Sequence, residues 1–187
     1  MRMSIMIAAG MMMASIVCVD ARAQGTSDRP RFEIGGQFVG LRLNDFDEGA
    51  AGIGGRFAYN LGEHLAIETV ISHFPENPSG NFGETVGLAG IRLGSRIERF
   101  GVFAKLRAGA INLGGGDFDL RIKQKTFFAA EAGMAIEYYA GPHMVLRLDL
   151  GDLIVPFGGA TFMSTIPPKK LGTSHNIQTE IGIAVRF

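Results

Sequence analysis

The last fourteen residues of the chain, Ser174–Phe187, read SHNIQTEIGIAVRF and decide how the residues before them are interpreted. Counted back from Phe187, alternate positions carry Val185, Ile183, Ile181, Thr179 and Ile177. The positions between them carry polar, charged or small residues. Successive side chains of a β-strand point to opposite faces, so this two-residue period predicts a strand with one apolar face and one polar face.

Seven similar stretches precede this one, separated by turn-forming residues. We predict strands at 31–43, 50–59, 64–74, 84–95, 100–111, 126–139, 144–151 and 174–187. None of these stretches has the period of a helix, and the length of 187 residues suits one domain. The sequence therefore predicts an all-β fold, an eight-stranded antiparallel up-and-down barrel that crosses a membrane.

The predicted connections alternate in length. Short turns fall at 60–63, 96–99 and 140–143, and longer connections at 44–49, 75–83, 112–125 and 152–173. Short periplasmic turns and longer extracellular loops, with an even number of strands, are typical of outer-membrane barrels. The connection at 152–173 is longer than usual, which indicates that it binds a partner or folds over the mouth of the barrel.

Charged residues collect on one face of the predicted strands. They are Glu33, Arg56, Glu68, Arg92, Lys105, Arg107, Glu131, Glu137, Arg147, Asp149, Glu180 and Arg186. A charge facing the middle of a lipid bilayer costs about 2–4 kcal/mol, whereas opposite charges inside a barrel can pair. We therefore expect these charges, interleaved with small residues, to fill the interior as a salt-bridged network, in preference to a narrow ion path.

The N-terminal stretch 1–23 has the features of a secretory signal peptide. Arg2 precedes an apolar run at 5–19, and Ala21-Arg22-Ala23 fits a cleavage site. We expect cleavage near Ala23, a short polar lead-in at 24–30 and the barrel domain at 31–187. The only cysteine, Cys18, lies in this leader, so we expect neither a disulfide nor a thiol metal site in the mature chain.

The leader, the eight amphipathic strands and the terminal Ile181-Gly-Ile-Ala-Val-Arg-Phe187 resemble the small outer-membrane β-barrel family of OmpA/OmpX type, over about 31–187. The resemblance implies a monomer in the outer membrane of a Gram-negative-type bacterium, with a structural or surface-interaction role. It implies contact with membrane lipid, lipopolysaccharide, periplasmic chaperones and the barrel assembly machinery. The assembly signal would comprise Ile181, Ile183, Val185 and Phe187. The peptidoglycan-binding domain of larger family members is not expected.

Two other functions remain open at this stage. One is a small pore for ions or small solutes, and the other is a soluble periplasmic barrel of lipocalin type, which would turn its apolar face inward over a ligand. Equal numbers of acidic and basic residues, 18 each, favour no nucleic-acid partner.

No enzyme, cofactor or metal site is predicted. The pairs Ser72-His73 and Ser174-His175 are adjacent on strands, so each pair divides between opposite faces and cannot act as nucleophile and base. The glycine-rich stretch 114–119 lacks the spacing of a calcium loop.

Overall fold

A computed structural model describes residues 30–44, 48–76, 83–114, 126–159, 161–162 and 169–187. The predicted signal peptide, all but the last residue of the lead-in, and most of the glycine-rich stretch at 114–119 lie outside the described residues. Within the described ranges, no helix is long and apolar enough to cross a membrane.

Eight long strands form a closed antiparallel barrel, which confirms the predicted fold class. Going round the barrel, the order is β1-β10-β7-β6-β5-β4-β3-β2, so the first and last strands pair and close the sheet. Two further short strands, β8 and β9, pair with each other within the connection from β7 to β10. The strands are β1 Phe32–Leu43, β2 Glu48–Asn60, β3 Leu65–Phe74, β4 Glu84–Ile97, β5 Phe100–Leu113, β6 Thr126–Tyr139, β7 Met144–Pro156, β8 Thr161–Phe162, β9 Lys169–Lys170 and β10 Thr173–Arg186.

Several connections differ from the prediction, most of all the one that follows β7. Strand β7 ends at Pro156 rather than at 151, because Leu153 and Val155 continue its inward apolar face and the strand stays paired with β10 as far as Thr173. The first connection is also shorter than predicted, at 44–47, because Leu43 still pairs with Glu48. The difference in length between the two ends of the barrel therefore rests on the other three long connections. We call the end with connections 61–64, 98–99 and 140–143 the turn end, and the other the loop end.

The two faces of the barrel wall have opposite character, and the charged face points inward, as expected from the cost of placing charges against lipid. On the outer face, large apolar side chains are exposed, for example Phe38 at 71% and Ile181 at 60%. On the inner face, Glu68 and Arg92 are both 0% exposed. The barrel is thus apolar on its outer surface and buries its charges inside, the reverse of a water-soluble protein.

Small residues on the inner face make room for the long charged ones. A Cβ atom added at Gly133 would stand 3.0 Å from Cε of Lys105, and it would also collide with the carbonyl oxygen of Leu150. A Cβ atom at Gly151 would collide with the carboxylate of Glu131. Narrow eight-stranded barrels are just wide enough for side chains, so glycine at these positions allows the charged groups to fit.

The loop-end half of the interior is apolar, which the sequence interpretation did not anticipate. Phe157 and Leu171, from the connection between β7 and β10, close this layer, and Phe157 packs edge-on against Phe127 with ring centres 4.8 Å apart. The interior therefore has two layers, a charged layer toward the turn end and an apolar layer toward the loop end. The apolar layer consists of Val39, Leu41, Leu43, Ala50, Phe74, Val86, Leu88, Ile111, Leu113, Phe127, Ala129, Leu153, Val155, Phe157 and Leu171.

The turn between β4 and β5 contains a residue in a strained conformation. Glu98 has a φ of 50°, and it is the only non-glycine residue with a positive φ in the part of the chain that the structure describes. Two-residue hairpin turns favour positive φ, which glycine adopts without steric cost. We therefore expect Glu98→Gly to raise the free energy of unfolding by about 1 kcal/mol, measured by urea titration of the folded barrel.

The matched control lies in the same turn. Arg99 does not have a positive φ, so Arg99→Gly adds backbone freedom without relieving strain and is expected to lower stability by about 0.5–1 kcal/mol. Equal effects of the two substitutions would contradict the assignment of strain to Glu98.

Candidate functional site: the charged interior

Six acidic and six basic side chains meet in the charged layer. They project inward from all eight barrel strands, because each occupies an inward position of the two-residue alternation. The acids are Glu33, Glu68, Glu131, Glu137, Asp149 and Glu180, and the bases are Arg56, Arg92, Arg96, Lys105, Arg107 and Arg147.

Arg147 links strands on opposite sides of the barrel. It donates from Nε and Nη2 to the two oxygens of Asp149, each at 2.6 Å. It also donates from Nη1 and Nη2 to the two oxygens of Glu68, at 2.8 and 3.2 Å. Because Glu68 lies on β3 and Arg147 on β7, this doubly bidentate guanidinium ties two strands that are not neighbours in the sheet.

A second group of contacts involves the two bases of β5. Arg107 donates from Nε to Glu131 at 2.7 Å and from Nη2 to Glu180 at 2.7 Å. Nζ of Lys105 lies 2.7 Å from Glu131 and 2.9 Å from Asp149. Each acid in this group therefore faces more than one cation, which is the condition for keeping a buried carboxylate ionised.

Glu137 contacts three cations, more than any other acid of the charged layer. Its Oε1 accepts a short contact from Arg92 and lies 3.4 Å from Nη1 of Arg147 and 3.8 Å from Nη1 of Arg56. Its Oε2 accepts a hydrogen bond of 2.6 Å from the hydroxyl of Tyr139. Three guanidinium groups thus converge on one carboxylate oxygen.

Arg96 belongs to the network although the sequence interpretation assigned it to a turn. Strand β4 continues to Ile97, and this places Arg96 on the inner face at the turn end. It donates to the hydroxyl of Tyr139 at 2.7 Å and to Oδ1 of Asn60 at 2.9 Å, and it lies 3.6 Å from Glu33. Arg96 lies two residues after Gly94 and therefore on the same inward face. It was missed because the predicted strand ended at residue 95.

Arg186 was expected in the network, and the structure places it at the turn-end opening. Its guanidinium carbon lies 4.4 Å from the ring centre of Tyr139, and it donates to the carbonyl oxygen of Pro142 at 3.2 Å. Arg186, the last residue of β10, occupies an inward position of the two-residue alternation, but it lies where the barrel ends. The other eleven predicted interior charges are buried, with at most 6% exposure.

Neutral polar residues complete the network and were not predicted. Gln37 and Gln178 donate to the two oxygens of Glu180 at 2.8 and 2.6 Å, and Asn60 donates to Glu33 at 3.1 Å. Gln37 and Gln178 occupy inward positions of predicted strands, where only charged residues were selected, whereas Asn60 was assigned to the predicted turn 60–63. All six carboxylates of the charged layer are buried, with at most 2% exposure.

The serine and histidine pairs divide between the two faces. Ser72 and Ser174 are buried inside. His73 faces outward and lies 3.0 Å from the hydroxyl of Thr85, and His175 faces outward, 2.7 Å from Asp152. Neither pair brings a hydroxyl to its neighbouring imidazole. Among the described residues, no group of three or more His, Cys, Asp or Glu side chains is placed to hold a metal ion.

The outer surface has a different border at each end. At the turn end, Phe32 packs near Phe187 and Tyr59, with ring centres 5.9 and 5.1 Å apart, and Phe100 packs near Tyr138 at 5.2 Å. At the loop end, outward positions carry hydrogen-bonded polar pairs. These are His73 with Thr85, Asn112 with Thr126, and Asp152 with His175.

A closed eight-stranded barrel with charges inside and an apolar outer surface has the architecture of small transmembrane barrels of the bacterial outer membrane. By sequence, no family model matches the chain and no curated protein is detectably similar to it. The comparison with solved structures, in contrast, finds such barrels.

Three of these solved structures illustrate the likeness. The N-terminal β-barrel domain of OprF from Pseudomonas aeruginosa matches with a TM-score of 0.52 and 11% identity, over 85% of this chain and 100% of that one. OprG from the same organism gives 0.53 and 10%, over 85% and 96%. Ail, the attachment invasion locus protein of Yersinia pestis, gives 0.50 and 12%, over 85% and 99%. At these identities the likeness is one of fold.

Removing one member of the network should leave a buried charge without its partner. We expect Arg107→Ala to lower the free energy of unfolding by about 3–5 kcal/mol, because Glu131 and Glu180 both lose a hydrogen-bonded cation. Urea titration in detergent micelles, followed by gel mobility, measures this change.

Two further variants give the control. Arg99→Ala, at an exposed turn position, should change stability by less than about 0.5 kcal/mol. The double variant Arg107→Met with Glu131→Leu should cost less than the sum of its single changes, because no unpaired charge remains between these two positions. Strict additivity would contradict a coupled network.

Proposed function

We propose that this protein is an outer-membrane β-barrel of a Gram-negative-type bacterium, with a structural or surface-interaction role. In this proposal the signal peptide at 1–23 directs export and is cleaved near Ala23. The barrel anchors the chain in the membrane and displays its longer connections at the loop end.

The observation that carries the proposal is the height of the exposed apolar surface. On β10, outward apolar residues run from Ile177 to Phe187, with Thr179 between them, and span ten residue steps (187 − 177). At about 3.4 Å per residue this is about 34 Å along the strand, or about 26 Å across a membrane at a tilt of about 40°. Outer-membrane barrels carry an apolar band about 25 Å tall, bordered by aromatic residues.

The same surface argues against a soluble carrier of lipocalin type. Such a barrel would turn Phe38, Ile181 and Leu148 inward, but these side chains are 71%, 60% and 53% exposed. An apolar surface that surrounds the whole molecule would drive aggregation in water. A hydrocarbon environment is therefore the better match for this chain.

The two interior layers support a closed barrel rather than a pore. In the charged layer the side chains are nearly inaccessible to solvent, and the apolar layer fills the loop-end half with packed Phe, Leu, Ile and Val residues. An ion entering from the turn end would have to displace paired charges and then cross an apolar region. In our proposal this interior stabilises the barrel in the membrane and does not conduct ions.

The proposed partners follow from the two ends of the barrel. Phe187 is 62% exposed at the end of the outer apolar face. We propose that the assembly machinery binds it together with Ile181, Ile183 and Val185. We propose that periplasmic chaperones hold the unfolded chain before insertion. The polar pairs at the loop end are at the level of lipopolysaccharide head groups in this orientation. We propose a monomer.

Membrane fractionation with matched variants tests the proposal. We expect the protein to sediment with outer membranes, to be extracted by detergent but not by high salt, and to run faster on gels before heating than after. Leu148→Arg, which places a charge in the middle of the apolar surface, should destabilise the barrel in bilayers by about 2–4 kcal/mol. His73→Arg, at the loop-end border, should cost about 0–1 kcal/mol.

Two results would contradict the proposal. One is recovery of the protein in the soluble fraction. The other is an equal effect of Leu148→Arg and His73→Arg, because a water-facing surface has no depth dependence.

A closed interior also predicts the electrical behaviour of the protein. Purified barrel inserted into planar lipid bilayers should give no steady single-channel steps at moderate voltage, because the apolar layer excludes hydrated ions. Regular conductance steps that scale with protein concentration would instead support the small pore. Heat-denatured protein serves as the control for detergent artefacts.

A further inference from the structure

The apolar outer surface has a depression on the wall formed by β1, β2 and β3. Its volume is about 400 Å³, and its lining includes Ile34, Gly55, Phe57, Thr69 and Ile71. The side chains of Ile34, Phe57 and Ile71 are exposed on the outer face, so the depression opens outward and not into the lumen. It is therefore separate from the charged layer, which lies on the other face of the same wall.

Two glycines paired across neighbouring strands account for the depression. Gly55 on β2 lines it and pairs with Gly36 on β1, and both are exposed on the outer face. Among the described residues, a Cβ atom added at Gly36 or Gly55 would come no nearer than 3.9 Å to an atom outside its chain neighbours. At the inward Gly54, by contrast, an added Cβ atom would stand 2.7 Å from the carbonyl oxygen of Ile71. Packing within the wall thus explains Gly54 but not the outward pair, and close approach of a ligand is one reason for glycine within a strand.

A single hydrocarbon chain fits this depression better than a second protein does. In lipid, association depends on van der Waals contact, and a chain lying over Gly55 would touch both the floor and the side chains of Phe57 and Ile71 beside it. On the convex wall elsewhere, a chain is in contact on one side only. A second barrel is itself convex, so two barrels meet along a line and leave the depression unfilled.

Thr69 places a hydroxyl group at the edge of the depression. It is exposed on the outer face of β3 and pairs with Phe57. Tyr59 of the aromatic border lies two residues from Phe57 toward the turn end, which puts Thr69 about 5 Å inside that border at a strand tilt of about 40°. Border aromatics lie at the level of lipid head groups, and the ester carbonyls of glycerophospholipids lie just inside it. An ester oxygen therefore provides the acceptor that a hydroxyl lacks in hydrocarbon.

We propose that the depression binds one acyl chain of a glycerophospholipid, and that Thr69 donates a hydrogen bond to the ester carbonyl at the start of that chain. The chain lies over Gly55 and Gly36, and the head group lies at the turn end. The site prefers ester-linked to ether-linked lipids, because an ether lipid has no carbonyl oxygen. This inference rests on the proposed membrane location, which it extends by naming a lipid and the residues that bind it.

Native mass spectrometry of the intact barrel, released from nanodiscs of dioleoylphosphatidylcholine, counts the bound lipid. We expect the wild type to retain one phospholipid and Gly55→Leu to lose it, because leucine would fill the depression. The control Ala108→Leu adds the same side chain at an exposed position of β5 and should retain the lipid. Equal retention by the two variants, a retained protein dimer, or a wild type without lipid would overturn the proposal.

An ether-linked lipid with the same chains and head group tests the role of Thr69. From an equimolar mixture, the wild type should retain the ester lipid in preference to the ether lipid by about two- to tenfold, the range expected for one hydrogen bond. Thr69→Val, of nearly the same shape, should retain the two lipids equally. A preference that persists in Thr69→Val would overturn the assignment. If Gly55→Leu failed to fold, this comparison would decide the question.

Tryptophan fluorescence locates the bound chain, because the protein contains no tryptophan of its own. Phe57→Trp places a reporter beside the depression, and Leu148→Trp places one on β7. In vesicles of ether lipid that contain a small fraction of ester phospholipid brominated on its acyl chains, we expect stronger quenching in Phe57→Trp. Equal quenching would overturn this proposal and leave the membrane location intact, whereas no quenching in either variant would contradict the membrane location as well.

Discussion

Inside a barrel of eight strands an ionised side chain reaches little water, so every buried carboxylate has to be neutralised by a cation at hydrogen-bond distance. The rest of this structure depends on that condition. Arg147 meets it for Glu68 and Asp149 together, and the bases of β5 meet it for Glu131 and Glu180. Because these contacts cross the lumen, they fix the distance between opposite walls in a way that the hydrogen bonds of the sheet alone cannot.

The apolar layer meets a different requirement. Toward the loop end the wall presents Leu, Ile, Val and Phe on the inner face, and these side chains fill the lumen as the core of a soluble protein is filled. Such packing stabilises the folded barrel without the desolvation cost of buried charge. The charged layer, in contrast, specifies which strands face one another across the lumen. The division gives one end of the barrel directional contacts and the other end close packing of apolar side chains.

Much of this architecture could be predicted from the sequence, and the exceptions have a common cause. Alternation separated the two faces of each strand, the cost of a charge in lipid predicted which face points inward, and every predicted barrel strand is present. Alternation identifies which residues share a face but gives no depth along the barrel axis. Arg186 occupies an inward position of the alternation but lies at the opening of the barrel. Arg96 also occupies an inward position, but it was not selected because the predicted strand ended at residue 95.

The apolar layer was missed for a related reason. Around Leu153 and Val155 the residue between them is Ile154, so both faces are apolar, the two-residue period fades and the segment was assigned to the connection 152–173. The neutral partners Gln37 and Gln178 were missed because charge, and not parity, guided the selection. The convergence of three guanidinium groups on Glu137 depends on the register between strands, which single-strand patterns do not contain.

The seam between β1 and β10 has a consequence for biogenesis. Phe32 and Phe187 exchange two backbone hydrogen bonds, of 2.9 and 3.0 Å, across the join. Strand β1 can pair with β10 only after the seven barrel strands that follow β1 in the chain have been made, so the barrel cannot close before that point. Until then β1 keeps unpaired backbone N–H and C=O groups along one edge, where another chain could pair with it.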